Sequence, residues 1–170
     1  MNRFFDLIAA PASFSPEKGF RSDADRLFPE IVRRSHFHWW NPGDAIQATG
    51  MRILIGVATW SGYDLKLLDA VNDVLQSKLP SPIQVDVMNV GLVPDSTELH
   101  RCFPGASDFV QTPFLGVWND GQVQMFRQGH HAIRELSLLF HVNPDEIAES
   151  VQRFYENRLS VIDQPISHAS

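Results

Sequence analysis

The sequence predicts an α/β domain in which a mixed β-sheet lies between helices and carries an N-terminal extension. Three observations predict it. Residues 51–58 are almost continuously apolar and run through a short polar turn into an amphipathic stretch from Leu65, as a buried strand followed by a helix does. Residues 83–90 are a second strand, rich in β-branched side chains. Strand, helix and strand in this order make a right-handed unit with a parallel pair. Finally, Asn119-Asp120-Gly121 separates the apolar residues 114–118 from residues 122–127, which marks a hairpin and an antiparallel edge.

Taken from the start, residues 1–23 carry Pro11, Pro16 and Gly19 among scattered aromatics. They read as an irregular arm whose Phe4, Phe5, Leu7 and Ile8 dock on the body. Asp6 interrupts the apolar start, so a signal peptide is not expected; mature sequence, anchoring arm and frayed terminus stay open. Ser22 or Asp23 is placed to cap a helix with Ala24, Leu27, Phe28, Ile31 and Val32 on one face. Pro29 opposes an uninterrupted helix there, predicting a kink or a later start. His36 and His38 would share one side of a strand, but no further metal ligands lie nearby in sequence, so an aromatic or partly exposed cluster is the reading. Asn41, Pro42, Gly43 and Asp44 are a turn signal.

After the 59–64 turn, Leu67, Leu68, Val71, Val74 and Leu75 form a helical stripe, ended by Pro80 and Pro82. Asp95, Ser96, Thr97 and Glu98 open a short helix holding Leu99 and Cys102, stopped by Pro104 and Gly105. A helical or irregular stretch around Ile133, Leu136, Leu139 and Phe140 follows Gly129, His130 and His131. In the last helix Asn143 caps, Pro144 takes the first turn, and Asp145 and Glu146 face the positive dipole end. Its expected core face is Ile147, Val151, Phe154 and Tyr155, and the tail 160–170 is expected to be extended or disordered.

Composition narrows the function. A chain of 170 residues, 44% hydrophobic, supports one domain with a real core. A net charge of −6 without a basic block argues against nucleic acid and anionic membrane surfaces as partners. Cys102 is the single cysteine, which excludes an intramolecular disulfide and a two-cysteine redox cycle and fits a cytoplasmic setting. No apolar run approaches the 18 or so residues of a membrane-spanning helix.

The order β, α, β, α, β, β, α, with Thr112-Pro113 before the hairpin, resembles the thioredoxin fold over residues 46–159, a three-layer sandwich. Residues 1–45 are then an N-terminal extension and 160–170 a flexible tail. Trp60-Ser61-Gly62-Tyr63-Asp64 stands where that family has its Trp-Cys-Gly-Pro-Cys motif. Thr112 and Pro113 stand where it has a residue and a cis-proline facing the motif, and Gly129 matches the glycine after the last strand. The departures are as informative. Ser61 replaces the nucleophilic cysteine, Asp64 the resolving cysteine, and Ile55 the buried carboxylate. A thiol titrates at about 8.5 and a helix N-terminus lowers it to a thiolate, a state a serine hydroxyl does not reach. The resemblance therefore implies a redox-inactive member and not an enzyme of the thioredoxin type, with no cofactor and no metal.

What the resemblance leaves is a binding groove. Trp60, Ser61, Gly62, Tyr63, Asp64, Thr112, Pro113 and Gly129 are the candidate binding residues, with Ser61 and Asp64 as helix caps and Trp60, Tyr63 and Pro113 as an aromatic, apolar floor. An extended peptide or protein partner would pair with the Thr112 edge, in a chaperone-like or assembly role; a homo-oligomer stays open. The alternative is a glutathione-binding or transferase-like enzyme using Ser61 in place of a thiol. A third reading gives Cys102 a role as a single reactive thiol, against the default of a small buried hydrophobe. His130 and His131 are read as solvated.

Overall fold

The strand at the centre of the sheet, β4 (Met51–Val57), is apolar because both of its faces are covered. Ile53, Ile55 and Val57 point into one core and Leu54 into another, the alternation that a pleated strand imposes. A computed structural model describes residues 3–17, 19–41, 43, 46, 49–77, 83–93, 96–106 and 111–162. Beside β4 lie β5 (Gln84–Asn89), parallel to it, and β6 (Phe114–Asn119), antiparallel. The short β3 (His38–Trp39) pairs in parallel with β5 at one edge, and β7 (Gln122–Gln128) pairs antiparallel with β6 at the other. The order β3-β5-β4-β6-β7, with helices on both faces, is the thioredoxin-like arrangement that the sequence order implied.

The sheet divides two cores. On the larger one pack α1 (Ala24–Arg34), α2 (Gly62–Ser77), α4 (His130–Phe140) and α5 (Pro144–Ile162), through residues such as Phe28, Leu68, Leu136 and Ile147. On the smaller pack α3 (Ser96–Cys102), Trp40 and Phe103, with Phe103 and Phe114 stacked at 5.1 Å. The β6–β7 turn has φ +50° at Asp120 and +78° at Gly121, the left-handed pair that a tight hairpin requires. Among the described residues no helix is long and apolar enough to cross a membrane.

Several expectations are revised. The arm is not irregular: Phe4–Ala9 is a 3₁₀ helix, and β1 (Ala12–Ser15) pairs with β2 (Gly19–Ser22) as a two-stranded hairpin. Phe4 and Leu7 are buried and Phe5 and Ile8 pack at the rim of the core, as the docking reading had it. Asp23 stands at the N-cap of α1 without a side-chain cap bond, and the Ser22 Oγ accepts instead from the Ala24 amide at 3.1 Å. The helix runs through Pro29, because Phe28, Ile31 and Val32 hold it against the core on both sides of the missing amide. Tyr155, expected on the core face of the last helix, is 41% exposed, with its hydroxyl against Gly62. Where the tail was expected from 160, α5 continues to Ile162, and residues 163–170 lie outside the described residues. Pro42, Asp44, Pro80, Pro82 and Asp95 lie outside the described residues. His36 and His38 are both exposed, and among the described residues no cluster of metal-ligating side chains forms.

Candidate functional site

The turn between β4 and α2 is wired inward at most of its positions. Ser61 is the helix cap: its Oγ accepts from the Asp64 amide at 3.3 Å, and its carbonyl accepts from Leu65 at 3.1 Å. Asp64, read from sequence as a second cap, turns back beneath the turn instead. It is buried, and its Oδ2 accepts from the Ala58 amide at 3.1 Å. The Thr112 and Ser61 side chains lie beside it and pull its pKa down. Where the family's motif carries its resolving thiol, this chain therefore has a carboxylate tying strand end, helix start and the 112–113 segment together. Burial pushes that carboxyl above the usual range, against the downward pull of Thr112, the Ala58 amide and Ser61.

Gly62 has no room for a side chain: a Cβ there would stand 2.8 Å from Ile8 Cδ1 and 3.2 Å from the Tyr155 hydroxyl. Tyr63 packs at the rim of the larger core and donates its hydroxyl to the Pro144 carbonyl at 3.3 Å, joining α2 to the start of α5. Burial raises its phenol above the usual value. The Thr112–Pro113 peptide is cis. Pro113 is buried and Thr112 half-buried. Gly129 is buried at φ +59°, and its amide donates to the carbonyls of Gln111 and Pro113, both at 2.9 Å. Ile55, in the place of the family's buried acid, is fully buried among apolar neighbours.

Trp60 behaves differently from all of these. It is 67% exposed, with one edge of its indole on Gly91, where a Cβ would meet Cζ3 at 2.9 Å. Trp60 also lines a cleft of about 390 Å³, with Leu7, Ile8, Phe20, Arg21, Asp25 and Thr59. Sequence reasoning missed this cleft. At its inner end the Thr59 hydroxyl donates to Asp25 Oδ1 at 2.7 Å, and the Asn89 amide donates to the same oxygen at 2.9 Å. Asn89 in turn accepts from the Gly91 amide at 2.9 Å. Ends of two parallel strands and a helix thus meet under the cleft, the place where open α/β sheets present ligand sites. The network joins residues far apart in the chain, so no local motif announced it.

Cys102 is fully buried beside Glu98, and burial pushes its thiol up to about 11. Such a thiol is not the electropositive, accessible kind that reacts readily. His130 and His131 are exposed at the start of α4, their rings 4.3 Å apart.

No protein-family model matches the chain, and no curated protein matches it. Solved structures of similar shape do exist. ERdj5 (form II) is 15% identical with a TM-score of 0.44, covering 75% of this chain and 18% of its own. A yeast mitochondrial 1-Cys peroxiredoxin is 14% identical with a TM-score of 0.43, covering 70% of this chain and 98% of its own. A mutant thioredoxin from Halobacterium salinarum NRC-1 is 15% identical with a TM-score of 0.37, covering 56% and 78%. The chain thus spans less than a fifth of ERdj5, and likenesses this distant say nothing of function.

Proposed function

We propose that the chain is a redox-inactive, non-catalytic binding module of thioredoxin-like fold that holds an extended peptide or protein partner at the outer side of the 59–64 turn. The observation that carries this is the exposure of Trp60 beside an open cleft, while Ser61, Gly62, Tyr63 and Asp64 are engaged within the fold. An exposed tryptophan at the lip of a pocket is the kind of anchor that dominates binding energy at interfaces. Thr112 does not line that cleft; it lies beside the buried Asp64 instead. A chaperone-like or assembly role follows from binding without chemistry. The glutathione reading has less support: the Ser61 Oγ is taken up as the cap of α2, accepting from the Asp64 amide at 3.3 Å.

A photo-crosslinking residue placed at position 60 tests the proposal, with the same residue at the exposed Met51 as control. A discrete crosslinked partner from position 60 and none from position 51 is expected. Equal, diffuse crosslinking at both contradicts it. Saturable glutathione binding that is lost in Ser61→Ala would favour the enzyme reading instead.

A further inference from the structure

We infer that the cleft between β2 and Trp60 is a subsite for a cationic side chain, a guanidinium or ammonium carried by an extended peptide partner. The inference rests on the reading of the Trp60 face as the binding surface and adds the chemistry of what enters.

Asp25 carries the argument. Both donors that orient it, Thr59 and Asn89, use Oδ1. Its second oxygen accepts no hydrogen bond from a described residue, and no ion pair neutralises it among them. The carboxylate is thus fixed by two bonds and lines the cleft with acceptor capacity to spare. Two aromatic side chains line the same cleft. Trp60 is 67% exposed, and Phe20 on β2 is 80% exposed, in contact with Phe14 at 5.0 Å. A carboxylate and aromatic side chains lining one cleft are the two features that hold organic cations.

The volume of about 390 Å³ suits one long side chain and falls at the small end of the range for built pockets. Charge complementarity points the same way, since the chain carries a net −6. Arg21 also lines the cleft, from the exposed hairpin. It makes no ion pair with Asp25 and limits affinity rather than filling the site. Its position provides an internal control, because reversing its charge leaves the core untouched.

The test is an NMR titration of the full chain with N-acetyl-arginine methylamide and N-acetyl-lysine methylamide, against the norleucine and glutamate analogues. The cationic probes are expected to shift the Trp60 indole and the amides of Phe20 and Thr59, saturating at millimolar concentration. Asp25→Asn, which keeps an acceptor for Thr59 and Asn89, should weaken them about tenfold, and Arg21→Glu should tighten them several-fold. Equal shifts with the neutral or acidic probes, no shifts at all, or indifference to both substitutions overturns the subsite. If position 60 still crosslinks a partner in that case, the cation subsite alone fails. If crosslinking is also lost, the binding surface fails with it.

Discussion

Phe4 and Phe20 belong to the same N-terminal extension, yet one is 1% exposed and the other 80%. The difference lies in what each segment has to pair with. The 3₁₀ helix offers its first amides to a buried carboxylate: Asp69 accepts from Phe4 at 2.9 Å and from Phe5 at 3.1 Å. This satisfies donors that a helix start otherwise leaves orphaned and lets Phe4 enter an aromatic group with Phe28 and Phe37. Ile8 then lies against Gly62. The β1–β2 hairpin has no comparable anchor. Its strands are exposed almost throughout, and an isolated two-stranded ribbon is marginal in water. One half of the extension thus completes the core, and the other half faces outward beside Trp60.

Substitutions should divide along the same line. Phe4→Ala is expected to cost about 3–5 kcal/mol in denaturant unfolding, as for other fully buried phenylalanines, whereas Phe20→Ala should change stability by about 0.5 kcal/mol or less. Comparable losses at both would erase the distinction.

Gly62→Ala comes next in size. The added methyl must displace Ile8, so the expected loss is about 1–3 kcal/mol. Relief by a second change, Ile8→Ala, would identify the contact responsible.

The pH dependence is subtler. Asp64 and Asp69 both have folded pKa values raised above the unfolded value of about 3.9, burial being the largest cause in each. Their protonated forms are therefore favoured in the folded state. That stabilisation is full below the unfolded pKa and is lost as pH rises through the raised folded values. Asp64→Asn should flatten part of this decline, leaving the Asp69 share. A variant whose stability follows pH as steeply as the parent would show that Asp64 is not the titrating group. Cys102, with its thiol near 11 and no exposure, should label slowly in the native protein at neutral pH and fully once unfolded.

The division between inner and outer halves also explains what the sequence could disclose. The strands of the sheet were legible because burial on both faces forces continuous apolar runs at 51–58 and 83–90. Ser61 and Asn143 were legible as caps because capping is local. The fate of Asp64 was not, since a cap and an inward clamp call for the same residue type near a helix start. The hairpin at 12–22 escaped because neither face is buried, so no apolar alternation marks it. Tyr63 looked like a free aromatic of the turn until its hydroxyl found Pro144, 81 residues away. Asp25, Thr59 and Asn89 meet only through the fold, with 34 residues separating the first two and 64 the first from the last.

If Trp60 stands at the turn for contact and not for folding, its removal leaves stability almost untouched. In urea unfolding, Trp60→Ala is expected to change stability by about 0.5 kcal/mol or less, because the indole is mostly solvated and meets the fold at Gly91. A loss of about 2 kcal/mol or more, the size expected for a packed aromatic, would contradict it.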